Sequence, residues 1–125
     1  MHKTASVKKR VRLRRRSEFQ AAVSGRRFHS GRALVGFAVP GQSVQTRVAV
    51  TVSRAVKTAV RRNRARRRLR EVARSELLGS DSPLRVGGIP YDVVLIARPA
   101  ALDVPFADLR AEASVAALRL AGLKP

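Results

Sequence analysis

Residues 47–71 read RVAVTVSRAVKTAVRRNRARRRLRE, and within this stretch a strand pattern gives way to a helix pattern. Over residues 47–53, bulky and small side chains alternate. The bulky set is Val48, Val50 and Val52, and the small set is Ala49, Thr51 and Ser53. Such alternation predicts a β-strand with one face in the core and a second face, here called the low face, that carries only small side chains. A nucleic-acid backbone could approach the low face closely, because no large side chain stands on it.

The residues that follow predict a long helix over residues 58–78, with an apolar stripe on one side and arginines on the other. Thr58 is a suitable N-cap, and Gly79 ends the pattern. The apolar stripe, spaced at about 100° per residue, comprises Ala65, Leu69, Val72 and either Glu76 or Leu77. The opposite side comprises Asn63, Arg67, Arg70 and Arg74. The helix is therefore expected to bury one side and expose a basic one.

Four further elements are predicted around this strand and helix. They are a short first helix between Ser17 and Gly25, a strand over residues 33–39, a nearly continuous apolar strand over residues 91–97, and a last helix over residues 105–121. A loop is expected over residues 79–90. The order α-β-β-α-β-α predicts a single α+β domain with a small mixed sheet of three or four strands. We expect that domain over residues 16–122, after a basic, flexible arm over residues 1–15.

The charge of the chain is large and unevenly distributed. The 125 residues carry 27 Lys and Arg against eight acids, a net charge of +19. Residues 1–74 hold 22 of those basic side chains and only two of the acids, Glu18 and Glu71. A small domain tolerates such self-repulsion best when its normal partner is a polyanion, and nucleic acid is the first candidate. Charge alone does not separate RNA from DNA or from an anionic membrane.

Arginine dominates the predicted basic helix, with eight arginines between positions 61 and 74. Only Glu71 and Glu76 offset them, so the helix lacks the alternating charges of an ordinary surface helix. A guanidinium group presents a planar set of donors that matches phosphate and can stack on bases. Asn63 adds a donor and an acceptor that could hold an RNA hydroxyl or a hydrated metal ion. The pattern favours RNA binding over a merely solubilising face.

The sequence offers no catalytic constellation. It contains no cysteine and only two histidines, His2 and His29, so disulfides and thiolate metal sites are excluded. The acids are scattered, so we expect no catalytic residue and no metal site in this chain. No apolar run approaches the ~18–20 residues of a membrane span, and no secretory signal follows the basic N-terminus. The expectation is a cytoplasmic protein with no membrane partner.

The motifs of the strand and basic helix resemble those of the bacterial ribonuclease P protein. The matching residues are the strand from Val48 to Val52, then Ser53, Ala59-Val60, Arg62-Asn63-Arg64, Arg66-Arg67 and Arg70-Glu71. Supporting matches are Arg12-Leu13 before Phe19, the strand end Ile96-Ala97-Arg98-Pro99, and the helical tail 105–121. The resemblance covers about residues 10–120. This chain departs from the family at Lys57-Thr58, where Gly-Asn is usual, and at Val23, which stands in for a cleft aromatic.

The resemblance implies a fold, a partner and two sets of RNA-binding residues. The basic helix would lie on an unusual left-handed βαβ crossover. The catalytic RNA would be bound by Arg62, Asn63, Arg64, Arg66, Arg67 and Arg70, with further RNA contacts from Arg12, Arg54 and Lys57. The 5′ leader of precursor tRNA would lie in a cleft formed by Phe19, Val23, Phe37, Ala49, Thr51 and Ser53. The RNA subunit would do the chemistry with Mg²⁺ that the holoenzyme requires, and no stable protein partner is expected.

Two other functional classes remain open at this point. One is a ribosomal or assembly protein whose basic helix binds ribosomal RNA. The other is a membrane-surface or antimicrobial protein, which normally carries bulky apolar residues opposite its charges. The aromatic residues are also open to a second interpretation, since Phe19 and Phe37 could be ordinary core residues.

Overall fold

The computed structural model describes residues 16–41, 43–86 and 90–123. The predicted arm over residues 1–15 lies outside them, so its order stays a prediction. The elements in chain order are α1 (Arg16–Val23), β1 (Arg26–Ser30), β2 (Leu34–Pro40), β3 (Arg47–Val52), α2 (Ala59–Val72), a π-helical turn (Ala73–Leu77), α3 (Pro83–Val86), β4 (Tyr91–Ala97), α4 (Ala100–Asp103) and α5 (Phe106–Ala121). Each predicted helix and strand is present close to its expected bounds.

The four strands form one mixed sheet in the order β1-β2-β4-β3. Strand β2 is antiparallel to both β1 and β4, whereas β3 and β4 are parallel neighbours. Parallel neighbours need a crossover connection, and α2 supplies it. The predicted α+β class and mixed sheet are confirmed, and the left-handedness of this crossover stays a prediction.

The sheet has two different faces, because successive side chains of a strand point to opposite sides. One face carries Val48, Val52, Val93 and Leu95 and joins the stripe of α2 and the inner side of α5 in one hydrophobic core. The other face carries Phe37, Ala49 and Val94, which lie outside that core cluster. Helix α1 packs against β2 and β4. Its Glu18 pairs with Arg47 of the non-core face, so α1 lies on the opposite side of the sheet from α2.

Strand β1 and the short helices α3 and α4 were not predicted from sequence. Strand β1 reads RRFHS, which has no apolar alternation, and a bulge interrupts its pairing between Arg27 and His29. Both Phe28 and His29 are buried as a result. Nε2–H of His29 donates to Glu112 Oε2 of α5 (2.8 Å), while Nδ1 accepts from Arg119 (3.0 Å). Tertiary contacts therefore create a strand that local propensity does not indicate.

The π-helical turn decides which residue continues the apolar stripe of α2. The extra residue in that turn rotates the positions that follow. Leu77 becomes fully buried, while Glu76 moves to the flank and accepts a hydrogen bond from Arg110 (3.2 Å). The stripe of α2 therefore continues through Leu77, and the predicted helix over residues 58–78 is α-helical only as far as Val72.

Thr58 caps α2 in a strained backbone conformation. Its hydroxyl accepts a hydrogen bond from the Arg61 N–H (3.3 Å), which confirms the predicted cap. Its φ is 63° and its ψ is 143°, the only positive φ among the described non-glycine residues. A β-branched side chain is poorly tolerated there, and such strain amounts to about 1–3 kcal/mol.

Replacing this residue with glycine tests that strain. We expect Thr58→Gly to raise the free energy of unfolding by about 1 kcal/mol in urea denaturation, because the relieved strain outweighs the lost cap. At an ordinary N-cap the same change is mildly destabilising. Thr58→Ala is the control, since it loses the cap while keeping the strain, and it should be less stable than the unchanged chain. A Thr58→Gly variant less stable than the unchanged chain would contradict the proposal of strain.

Candidate RNA-binding surfaces

The outward side of α2 is an arginine face, made by Asn63, Arg64, Arg67 and Arg70, all exposed. Among the described residues, Arg64 and Arg67 form no ion pair and no side-chain hydrogen bond. Arg66 lies at its border and donates to Asn63 Oδ1 (2.7 Å), which fixes the amide oxygen toward the helix. Arg64 and Arg67 thus present guanidinium groups without an acidic partner in the described residues, beside the amide of Asn63.

Among the described residues, acidic partners offset the positive charge of the arginines only at the C-terminal end of this helix. Glu71 accepts two hydrogen bonds from Arg74, both 2.7 Å long, in an exposed pair. Exposed pairs of this kind contribute little to stability, so they do not cancel repulsion farther along the helix. Arg64 and Arg67, in the middle of α2, therefore have no acidic partner among the described residues.

Arg62, which the sequence assigned to RNA binding, is engaged with the fold. Its guanidinium donates to the backbone carbonyls of Ser53 (2.9 Å), Val56 (3.1 Å) and Val52 (3.1 Å). It thereby ties the first turn of α2 to the end of β3 and to the link between them. RNA binding by Arg62 stays a prediction, whereas its positioning of the helix is visible in these contacts.

Arg68 is a second arginine of α2 that holds the fold together. It donates to the Val104 carbonyl, and its guanidinium carbon lies 5.9 Å from the centre of the Phe106 ring. These contacts join α2 to the start of α5. Sequence reasoning missed this role, because the 3.6-residue period alone does not show which arginines meet a neighbouring element.

The second surface is the open sheet face, defined by Phe37, Ala49, Thr51 and Ile96 together with the buried Val35 and Val94. Strand register sets Phe37, Val94 and Ala49 in one row and Val35, Ile96 and Thr51 in the next. Phe37, Ala49, Thr51 and Ile96 are only partly buried. The predicted cleft residues Phe37, Ala49 and Thr51 therefore share one face. Val35, Val94 and Ile96 were not predicted, because a continuous apolar strand does not reveal which residues face which side.

An ion-pair network holds α1 over one end of this face. Arg47 donates to both carboxylate oxygens of Asp92 (3.0 and 2.8 Å), and one of its amines also lies 2.9 Å from Glu18. The hydrogen bond to Asp92 is the largest cause that raises the pKa of Arg47 above its ordinary value, so this guanidinium stays charged. Because Glu18 and Ala22 lie one turn apart, they form the side of α1 that meets the sheet.

The remaining predicted site residues take several different positions. Phe19 and Val23 are partly buried neighbours on a flank of α1, one turn apart. Ser53 follows the end of β3, and its hydroxyl accepts from the Ala55 N–H (3.2 Å), so it belongs to the link before α2. Arg54 and Lys57 are exposed in that link. Arg12 lies outside the described residues.

Comparison with known proteins identifies the family. The family model for ribonuclease P matches residues 7–121 of the chain. The chain belongs to the bacterial ribonuclease P protein family. The ribonuclease P protein component of Symbiobacterium thermophilum is 43% identical over 105 residues, covering 83% of this chain and 85% of that protein. The component of Chloroflexus aurantiacus is 36% identical over 120 residues, covering 95% and 83%.

Solved structures agree with this family fold. The RNase P protein of Staphylococcus aureus matches with a TM-score of 0.68 at 22% identity, covering 90% of this chain and 95% of that one. The RNase P protein of Thermotoga maritima matches with a TM-score of 0.63 at 24% identity, covering 81% and 89%. At these identities the likeness supports the fold alone.

Membership in the ribonuclease P protein family settles the broad class of function. The chain is a protein subunit of an RNA-based endoribonuclease that acts in tRNA 5′ processing, and its partner is the RNA subunit. The predicted subunit role is therefore confirmed, and the ribosomal and membrane-surface alternatives are not favoured. None of the helices in the described part of the chain is long and apolar enough to cross a membrane.

Acidic and histidine side chains do not cluster in the described part of the chain. Within residues 16–41, 43–86 and 90–123, no group of three or more His, Asp or Glu residues could hold a metal ion. The described residues therefore do not fit Mg²⁺, and we assign none of them to a metal-dependent step.

The contribution of Arg62 to positioning α2 can be measured as a change in the free energy of unfolding. We expect Arg62→Ala to lower the free energy of unfolding by about 1–3 kcal/mol, because three partly buried carbonyls lose a charged donor. Arg61→Ala, which removes an exposed arginine next to it, is the control and should change stability by less than about 0.5 kcal/mol. Equal stabilities of the two variants in urea denaturation would show that Arg62 does not brace the link.

Proposed function

We propose that this chain binds the catalytic RNA through the arginine face and the 5′ leader of precursor tRNA across the open sheet face. The observation that carries the proposal is the pairing of two unlike surfaces on opposite sides of one sheet. One is the arginine face, where Arg64 and Arg67 have no acidic partner among the described residues, and the other is the open sheet face, which α1 covers at one end. We also propose the cytoplasm as the site of action, since precursor tRNA is processed there.

The arginine face suits the backbone of a folded RNA. Guanidinium groups bind phosphate through two parallel hydrogen bonds, and their charge needs no partner within the protein. Arg64 and Arg67 have no such partner in the described residues. The oriented amide of Asn63 can donate to a ribose hydroxyl or a phosphate between them. Binding of this kind releases counterions, so it weakens steeply as salt rises.

The open sheet face suits a single strand. The side chains of Ala49 and Thr51 are small, so a sugar-phosphate chain can lie close to β3. Phe37 is a partly exposed aromatic ring on the same floor, and rings of this type stack on unpaired bases. Phe19 on the flank of α1 supplies a second ring nearby in the fold. Stacking tolerates any base, as a leader of variable sequence requires.

The protein's part in the reaction is then binding and positioning. Its cations lower the repulsion between two RNA molecules, and its sheet holds the leader so that the scissile phosphate lies at the catalytic RNA. Mg²⁺ bound by that RNA supplies the activation of water when present. Because the protein contributes positive charge where two polyanions meet, the holoenzyme should need less Mg²⁺ than the RNA alone.

The arginine face is tested by removing its unpaired charges. We expect Arg64→Ala and Arg67→Ala each to weaken binding to the catalytic RNA by about tenfold at low salt, because each loses a charge-assisted contact with phosphate. Arg110→Ala is the control, since it removes an exposed arginine of α5 that pairs with Glu76. Filter binding across a salt series measures the effect. An equal loss from Arg110→Ala would mean that only net charge matters.

The leader site is tested by removing an aromatic ring. We expect Phe37→Ala and Phe19→Ala to weaken holoenzyme binding of precursor tRNA by about fivefold to a hundredfold, in line with about 1–3 kcal/mol per stacked base, while sparing mature tRNA. Leu118→Ala removes a 60% exposed apolar side chain on α5 and serves as the control. Equal losses for precursor and mature tRNA would contradict leader binding at this face.

A further inference from the structure

Strand β1 places an arginine on the open sheet face that the family motif does not include. Arg27 pairs with Phe37 across the β1–β2 ladder, and cross-strand partners point to the same side of a sheet. Arg27 is exposed and forms no ion pair among the described residues. Its guanidinium therefore stands beside the ring proposed to stack on a leader base. Arg26, the preceding residue, pairs with Ala38 and points to the opposite side.

The bulge in β1 extends this side of the sheet toward a second arginine. In a regular strand, residues three apart face opposite sides, so Arg27 and Ser30 would be separated. The bulge between Arg27 and His29 adds one residue, and Ser30 pairs with Val35 on the same face as Arg27. Arg98 donates to the Ser30 hydroxyl (3.1 Å) and to the Gly31 carbonyl (2.6 Å). Its guanidinium is thus held at this edge of the face.

The opposite corner of the face holds an arginine that is already paired. There Arg47 pairs with both Glu18 and Asp92, so its positive charge is offset within the protein. A phosphate chain is therefore attracted less to Arg47 than to Arg27 and Arg98, which form no ion pair among the described residues. The face spans four strands, and at about 4.8 Å between neighbours the crossing from β3 to β1 is about 14 Å wide. The charge pattern therefore gives a direction across the sheet.

From this we infer that Arg27 binds a leader phosphate beyond the base stacked on Phe37, so that the leader runs across the sheet from β3 to β1. The inference rests on the proposed leader binding and adds a path to it. Arg98, oriented by Ser30 and Gly31, lies beside the same path at the C-terminal end of β1. The partner is single-stranded RNA at least long enough to reach the β1 edge. The bases of a shorter leader stack on Phe37 of the open sheet face, but its phosphates do not reach Arg27.

The test compares two adjacent arginines in the reconstituted holoenzyme. Precursor tRNAs with stepwise shortened leaders, and mature tRNA, are bound to holoenzymes carrying Arg27→Ala or Arg26→Ala. We expect Arg27→Ala to lose about threefold to tenfold in affinity for long leaders only, and to reduce the slope of log affinity against log salt by about 0.7. Arg26→Ala removes the same charge from the other side of the strand, so it should keep the full dependence on leader length. Arg27→Lys should restore most of the loss.

The outcomes separate this inference from the proposed leader site. Equal effects of Arg26→Ala and Arg27→Ala at every leader length, or no effect of Arg27→Ala, would overturn the path to β1. Phe37→Ala is measured in the same series. Loss of leader discrimination in Phe37→Ala but not in Arg27→Ala overturns the inference and leaves the leader site standing. Full leader discrimination in Phe37→Ala refutes the leader site itself.

Discussion

Helix α2 can carry seven arginines because its other side is buried in the core. Ala65, Leu69 and Val72 are fully buried, and the burial of such side chains is the main force that holds a helix against a sheet. The small side chain of Ala65 lets the helix approach β3 and β4 closely. This burial fixes the rotation of α2, so the arginines on the far side must face outward together. Their mutual repulsion remains in the free protein and is relieved when phosphates bind.

The arginines of α2 divide into two groups that net charge does not distinguish. Arg62 and Arg68 reach backbone carbonyls of other segments, and they brace the helix against β3 and α5. Arg64 and Arg67 have no such contacts in the described residues and remain available to RNA. A buried or braced guanidinium is costly to remove because it leaves carbonyls unpaired, whereas an exposed one affects mainly binding. The helix therefore serves the fold on one flank and the RNA partner on the other.

The sheet separates two surfaces with different chemistry. On the core side of the sheet, α2 presents positive charge that suits a structured RNA. On the other side, α1 leaves part of the open sheet face uncovered. The Glu18–Arg47–Asp92 network decides which part of the floor is covered, since it fixes α1 at one end of β3 and β4. Because α2 packs against the opposite side of the sheet from the open sheet face, a catalytic RNA and a leader bound to the two surfaces would be held in a fixed relation.

The sequence by itself determined the α+β class, the main elements, the basic face of α2 and the resemblance to a family, because periodicity and local motifs are carried by neighbouring residues. It did not reveal β1, whose bulge depends on the contact between His29 and Glu112 some 83 residues away. Nor did it show that Leu77 continues the apolar stripe of α2, or that Arg62 ties α2 to the segment that follows β3. It also did not show that Val94 and Ile96 belong to the open sheet face. Those features depend on strand register and on contacts between distant segments, which only the folded chain brings together.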